Sequence, residues 1–268
     1  MFHIDTYFLD DAPSARVFDV FEPEKITHDV VVFYVHGGGW TSGSRANHHP
    51  SMMALRNLGY LCATTDYRLV SPGVNSKVTA FDQLADIRES YEAFIKLAKT
   101  KIASPKAVVF GSSAGAHLAS LLLTTLPGEC GEKFTAREKW HLPAAGILQS
   151  TPVSFEPWED IFPPVWNSMQ QAAGVRYEDA PACYKALSLN NYIRESNPPL
   201  LFLEAGNEHM FPSEMTLELV KKHQELGIDS RWYKFDTAEH GFFYGITRRP
   251  QKEAFETILK FLEDIGKK

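Results

Sequence analysis

The chain has 268 residues, of which 44% are hydrophobic and 22% charged, and a formal net charge of -6. This size suits one globular domain with a large core, and the mild negative charge argues against nucleic acid as a partner. The first residues (MFHID) do not form a basic stretch followed by an apolar one, and no apolar run approaches the ~20 residues of a membrane helix. We therefore expect no secretion signal and no membrane partner, and predict a cytoplasmic protein.

The three cysteines, Cys62, Cys130 and Cys183, are odd in number and widely spaced. This pattern predicts reduced thiols and argues against both a disulfide framework and a zinc site. No internal repeat or low-complexity linker divides the chain, so we predict a single domain over residues 1–268. No cofactor and no metal are expected, and the sequence does not indicate an oligomeric state.

Strand and helix patterns alternate along the first half of the chain. Residues 6–9 and 15–21 predict two strands joined by a turn at 10–13, and the alternating pattern of the second is typical of an edge strand. Residues 29–35 (DVVVFYV) predict a strand buried on both faces. A short helix, a strand, an amphipathic helix and a further strand follow at 51–58, 60–67, 78–98 and 105–110.

The second half continues the alternation of strands and helices. Strands are predicted at 144–150, 199–205 and 231–235, and amphipathic helices at 213–226 and 254–265. Strands alternating with helices predict the α/β class, with a mostly parallel sheet of about eight strands covered on both faces.

Residues 151–197 form the least regular segment and are rich in aromatic residues and proline. We interpret this segment as a small cap-like insertion that borders the active cleft, since long ordered loops are usually functional; a plain packed loop is the alternative. Its Trp158 and Trp166 are candidates for the substrate pocket. Trp40 is a third candidate, and packing beneath its own loop is the alternative for that side chain.

Residues 108–117 (VVFGSSAGAH) join a predicted buried strand to a predicted helix. Gly111-x-Ser113-x-Gly115 matches the nucleophile elbow, a sharp strand-to-helix turn that exposes a serine hydroxyl. The flanking glycines are needed because the strained turn leaves no room for side chains. The amide of Ala114 lies at a helix N-terminus, where unpaired N–H groups favour negative charge. An ordinary turn can carry the same pentapeptide, so the prediction depends on partners elsewhere.

Residues 36–40 (HGGGW) follow the first buried strand. Three consecutive glycines carry a large entropic cost, which is justified where backbone amides must approach a ligand closely. We interpret the segment as an oxyanion loop in which the amides of Gly37 and Gly38 act together with that of Ala114, and in which His36 braces the loop. A flexible turn is the alternative.

A nucleophilic serine needs a base within hydrogen-bond reach and an acid that orients the base. His240 follows the last strand within residues 239–242 (EHGF), which suits the chain order serine, acid, histidine. His117, four residues after the serine, should point away from its hydroxyl. Glu208, in the loop after the strand at 199–205, is the predicted acid. Asp236 is its main rival, and a solvated loop carboxylate is the alternative for Glu208.

The motifs at 36–40, 111–115 and 239–242, with DYRL at 66–69, together resemble the hormone-sensitive-lipase-like esterases and their acetyl- and feruloyl-esterase-like relatives. The resemblance extends from about Val30 to the C-terminus. It implies the α/β-hydrolase fold and a serine carboxylesterase that forms an acyl-enzyme without a cofactor. It also implies that Ser113 is the nucleophile and His240 the base, and the loop that carries Glu208 occupies the place of the family's acid.

The sequence departs from the family pattern at the acid. The family usually has an aspartate in a Gly-x-x-Asp context, whereas residues 206–209 read GNEH, so the spacing is one residue shorter and a glutamate replaces the aspartate. A longer side chain can compensate for this shift. The expected substrates are small esters with short acyl chains, including acetyl esters of carbohydrate. An arylformamidase-like amide hydrolase, a lactonase, a peptidase and a non-enzymatic receptor are the alternatives.

Overall fold

The computed structural model describes residues 4–9, 16–71 and 77–268. Within these residues one sheet is formed by β1 (Asp5–Phe8), β2 (Val17–Phe21), β3 (Val30–Val35), β4 (Leu61–Thr65), β5 (Lys106–Ser112), β6 (Ala145–Gln149), β7 (Leu200–Asn207) and β8 (Arg231–Glu239). The strand order is β1-β2-β4-β3-β5-β6-β7-β8. β2 is antiparallel to both of its neighbours, β1 and β4. The six strands from β3 to β8 all run parallel to one another. The predicted eight-stranded, mostly parallel sheet is confirmed.

Helices cover both faces of this sheet. They are α1 (His49–Asn57), α2 (Ala80–Lys99), α3 (Ala114–Thr124), α4 (Pro163–Ala173), α5 (Pro181–Ala186), α6 (Ser213–Glu225) and α7 (Arg249–Lys267). The central strand β3 is buried along its whole length. Its Val31 and Phe33 belong to the apolar cluster that includes α2 and α3, while Val32 and Tyr34 belong to the cluster with α1 and α7. Alternate side chains of one strand thus serve opposite faces of the sheet.

The N-terminal strands differ from the prediction. The edge strand is β1, whereas β2 lies between β1 and β4 and is buried throughout. The polar residue of its alternating pattern, Asp19, is buried because its carboxylate accepts a hydrogen bond from Thr6 (2.7 Å) and pairs with Arg45 and His49 (2.9 Å each). The pattern therefore reflects a satisfied buried carboxylate, not exposure to water. The turn predicted at 10–13 lies outside the described residues.

The segment predicted as an irregular insertion contains regular structure. Within 151–197 the chain forms α4, α5 and a short 3-10 turn at Leu189–Tyr192, and it adds no strand to the sheet. Prolines stand in the first turn of both helices, where a missing N–H costs nothing. Proline, which suggested irregular chain in the sequence, here marks the start of helices.

The cysteines are free thiols: Cys62 and Cys130 are buried and Cys183 is partly exposed. Burial raises the pKa of the Cys62 thiol well above its usual value, which makes that thiol unreactive. None of the helices in the described ranges is long and apolar enough to cross a membrane.

Buried histidines predict that stability falls in mild acid. Burial lowers the pKa of His48 to about 3, and of His117 and His223 to about 4. Between pH 6.5 and about 4, the unfolded chain thus binds more protons at these positions than the folded chain. Glu204 acts in the opposite direction, because burial and the nearby Glu208 raise its pKa to about 7. We expect the free energy of unfolding to drop by roughly 2 kcal/mol per pH unit in this window.

Urea unfolding at pH 5.0, 5.5, 6.0 and 6.5 would measure this drop. Proton uptake on unfolding, about two protons near pH 5.5, gives an independent check. A free energy of unfolding that is flat over this window would contradict the prediction.

Candidate active site

Ser113 lies at a strained turn between β5 and α3. Its backbone has φ +53° and ψ -123°, a conformation that side-chain-bearing residues seldom adopt. A Cβ atom on Gly115 would lie 2.3 Å from the carbonyl oxygens of Val35 and His36, and one on Gly111 would lie 2.4 Å from the oxygen of Gly115. The glycine spacing seen in the sequence is therefore required by close backbone approach on both sides of the serine.

The glycine loop after β3 lies directly against this turn. A Cβ atom on Gly37 would lie 2.6 Å from the carbonyl oxygen of Ser112, and Gly38 has φ +126°, a conformation suited to glycine. Among the described residues, the backbone amides of Gly37, Gly38 and Ala114 donate no hydrogen bond. These three N–H groups are available to an oxygen atom near the Ser113 hydroxyl.

The loop is braced from beneath by His36 and Tyr67. The Nδ1 atom of His36 lies 2.7 Å from the carbonyl oxygen of Gly37, and the Tyr67 hydroxyl donates to the carbonyl oxygen of His36 over 2.7 Å. Burial lowers the pKa of His36, although the Gly37 carbonyl and Asp66 oppose the shift. Asp66 also accepts hydrogen bonds from the backbone and side chain of Arg45. The DYRL segment thus supports the glycine loop without entering the cavity itself.

Ser113, His240 and Glu208 are connected by hydrogen bonds. The Ser113 Oγ atom lies 2.8 Å from His240 Nε2, and His240 Nδ1 lies 2.8 and 3.0 Å from the two Glu208 oxygens. A carboxylate can only accept, so the imidazole proton belongs on Nδ1, and Nε2 accepts from the serine hydroxyl. The three side chains come from the ends of β5, β7 and β8, which meet at one edge of the parallel sheet.

The Glu208 carboxylate is held ionised. Burial alone would raise its pKa, but hydrogen bonds from His240, the Met210 amide (2.9 Å) and Ser150, together with the charge of His240, lower it below the usual value. Its side chain is only 4% exposed. This combination suits a group that orients an imidazole and stabilises the imidazolium.

Asp236, the rival candidate, is not among the hydrogen-bond partners that the described residues give His240. It is exposed and lies within β8, which extends to Glu239 and is longer than predicted. The carboxylate that bonds to His240 is therefore that of Glu208, in the loop whose spacing is one residue shorter than the family pattern.

A cavity of about 690 Å³ opens over Ser113 and His240. The glycine loop forms one wall of the cavity, and α4 with the chain before it contributes another. Side chains that line it and that the sequence motifs did not single out include Asn47, His48, Phe162, Val165, Ser168, Met210, Phe211 and Tyr244. For Met210 and Phe211 the sequence does carry a signal, since they lie two and three residues after Glu208 in the same loop. Phe162 and Val165 carry no local signal.

The three candidate tryptophans occupy different positions. Trp40 borders the cavity but is only 2% exposed, and its indole N–H donates to His117 Nδ1 over 3.2 Å. Trp166 does not line this cavity, because its ring packs against Tyr177 and Tyr184 inside the insertion. Trp158 packs against Phe211 and borders a separate depression of about 200 Å³. Of the three candidates, Trp40 borders this cavity, whereas Trp158 and Trp166 do not.

The sequence of this chain is similar to those of proteins described as esterases. The sequence model of the BD-FAE family matches residues 18–223. The esterase LipQ of Mycobacterium tuberculosis is 25% identical over 245 residues, which cover 87% of this chain and 54% of LipQ. The chain spans about half the length of the curated relatives that it matches.

Solved structures show the same fold. Esterase 2 of Thermogutta terrifontis with bound propionate has a TM-score of 0.74 at 22% identity, covering 99% of this chain and 94% of that one. Esterase B from Lactobacillus rhamnosis has a TM-score of 0.81 at 17% identity, covering 99% and 86%. At this identity the likeness establishes the fold.

Proposed function

We propose, because the chain belongs to the BD-FAE family of α/β-hydrolase esterases, that it hydrolyses small carboxylic esters with Ser113, His240 and Glu208 as its catalytic residues. The observation that carries this proposal is the chain of hydrogen bonds from Ser113 through His240 to Glu208, at the base of a cavity beside unpaired backbone amides. No step of the reaction requires a cofactor.

In the first half of the proposed reaction, Ser113 Oγ attacks the ester carbonyl carbon while His240 Nε2 takes the hydroxyl proton of Ser113. The negative oxygen that forms is held by the N–H groups of Gly37, Gly38 and Ala114, which donate to no other group among the described residues. Glu208 stabilises the imidazolium. His240 then returns the proton to the leaving alcohol oxygen, and an acyl-enzyme remains on Ser113.

In the second half, water replaces the alcohol beside His240. His240 removes a proton from the water as it attacks the acyl carbon, and the same three amides hold the second negative oxygen. Collapse of this intermediate breaks the bond to Ser113 Oγ, which recovers its proton from His240. The acid leaves and the resting site is restored.

We further propose that the acyl group is short. Structures of Thermogutta terrifontis esterase 2 contain bound propionate and bound butyrate. In this chain Trp40 closes the cavity beside the glycine loop, and its indole packs edge-on against the stacked rings of His117 and Phe155, whose centroids lie 5.6 and 5.2 Å away. A wall that is backed by closely packed rings cannot move aside cheaply for a longer chain.

Replacing Trp40 should therefore lengthen the acyl chain that the site accepts. Trp40→Ala opens the cavity towards His117 and Phe155, and we expect the kcat/KM ratio of p-nitrophenyl octanoate to butyrate to rise by roughly tenfold, a typical size for a few methylene groups. Kinetics with the two esters would measure this ratio. Trp166→Ala is the matched control, and its ratio should stay at the wild-type value. An unchanged ratio in Trp40→Ala would show that another wall sets the length.

Hydrolysis of p-nitrophenyl acetate, butyrate and octanoate tests the proposed function itself. Fast cleavage of acetate and butyrate supports it. A wild-type protein that neither cleaves these esters nor reacts with a fluorophosphonate at Ser113 would overturn it.

A further inference from the structure

Ser150, directly after β6, has a backbone conformation that costs free energy. Its φ is +48°, in the left-handed region where glycine is favoured. The residue is 1% exposed, and its amide donates to the carbonyl oxygen of Leu203 over 3.0 Å, which holds it in the sheet. A glycine here would remove the strain, so the serine side chain needs a separate explanation.

The Ser150 hydroxyl lies between the candidate acid and the candidate base. The Gly241 amide, next to His240, donates to Ser150 Oγ over 3.3 Å. Ser150 also directly follows β6, the strand that lies between β5 and β7, and its hydroxyl is one of the groups that lower the pKa of Glu208. The hydroxyl accepts from Gly241 and keeps its own proton to donate, and a carboxylate is an acceptor. One small side chain thereby joins the loop that carries Glu208 to the loop that carries His240.

We propose that Ser150 is a positioning residue, whose hydroxyl orients the Glu208 carboxylate against His240 Nδ1. The assignment rests on the proposed function, because it gives Ser150 a role only if Glu208 and His240 act together. Glu208 has further hydrogen-bond donors in the Met210 amide and His240 itself. Without the hydroxyl the carboxylate stays in place but can rotate away from the geometry that keeps the Nδ1 proton directed at it.

Gln149, the residue before Ser150, shows that the backbone of the loop after His240 does not depend on the Ser150 hydroxyl. The Ser113 amide donates to the backbone oxygen of Gln149 over 2.9 Å. The side-chain oxygen of Gln149 accepts hydrogen bonds from the backbone amides of Phe242 and Phe243 (2.8 Å each), and its NH₂ group donates to Ser112 Oγ (3.1 Å). The loop after His240 is therefore anchored by Gln149, and removal of the Ser150 hydroxyl leaves this anchor intact.

The test is a pair of variants, Ser150→Ala and Ser150→Gly, assayed with p-nitrophenyl acetate. Both lose the hydroxyl, but only glycine relieves the strain at φ +48°. We expect kcat to fall about tenfold or more in both variants, as for loss of a hydrogen bond to a charged group, with KM within about twofold of wild type. In thermal melts the glycine variant should melt a few degrees above the alanine variant.

The kcat of Ser150→Gly separates a positioning role of the hydroxyl from a merely structural one. A merely structural serine predicts that Ser150→Gly retains the wild-type kcat, and that result, or a wild-type kcat in both variants, would overturn the assignment. Ser120→Ala is the control, since Ser120 is a buried serine of α3 whose hydroxyl donates to the backbone oxygen of His117 over 2.7 Å. Its kcat should not change. A wild type that is inactive towards esters and fluorophosphonate would instead overturn the proposed function, and the role of Ser150 with it.

Discussion

Ser113→Ala is expected to lower kcat for p-nitrophenyl acetate by a factor of about 10⁴ or more, the size seen when the nucleophile of such a triad is removed. The structure offers no substitute close by, because Ser113 Oγ is the atom that lies 2.8 Å from His240 Nε2. Without it, the glycine-loop amides can still bind the carbonyl oxygen, but no acyl-enzyme forms. Burst kinetics and steady-state rates with the acetate ester would measure the loss.

A fluorophosphonate probe provides the second measurement for this variant. We expect wild type to be labelled at Ser113 and Ser113→Ala to remain unlabelled, while the Ser120→Ala control labels and turns over like wild type. Turnover that survives in Ser113→Ala would contradict the assignment of the nucleophile. Labelling of a wild type that cleaves none of the esters would retain the site and direct the search to amides, lactones or a specific natural ester.

Glu208→Gln should produce the second largest loss, a fall in kcat of roughly 10³ to 10⁴. The substitution preserves size but removes the charge that stabilises the His240 imidazolium. It also places an NH₂ group opposite Nδ1, which favours the tautomer with its proton on Nε2, and that tautomer cannot accept the proton of Ser113. Comparison of kcat and KM for the acetate ester would measure the loss, which should lie mainly in kcat.

Asp236→Asn is the matched control for the acid. Asp236 is exposed within β8, so neutralising it should leave kcat within about twofold of wild type, as is usual for a surface position. If the loss appeared in Asp236→Asn and not in Glu208→Gln, the two acids would have to exchange roles.

The fold was predictable because its main signals are local. The six residues of β3 are β-branched or aromatic and are all buried, so a run of such residues specifies a strand covered on both faces. The strand-to-helix turn at Ser113 was predictable for a related reason, since Gly111 and Gly115 occupy positions where a Cβ atom would collide with backbone. Steric exclusion of this kind leaves a mark in the sequence within a few residues.

Polar and aromatic residues misled where the fold brings partners to them from elsewhere in the chain. Asp19 suggested an exposed strand face, but Thr6, Arg45 and His49 pair with it inside the fold. The tryptophans of the insertion misled for a similar reason, because their rings pack against other side chains of the fold. An indole is a large apolar surface that packs wherever the fold offers rings, and for Trp166 these are Tyr177 and Tyr184, not a substrate.

The fold class, the turn at Ser113, the glycine loop and the selection of His240 could be predicted from the sequence alone, because each depends on backbone geometry or on a motif contained in a short segment. Tertiary structure decided which carboxylate meets His240 and which residue holds that carboxylate. Glu208 is 32 residues from His240, and Ser150 is 91 residues from Gly241. These contacts arise because parallel strands that are far apart in the chain end at the same edge of the sheet, and no local pattern records which side chains meet there.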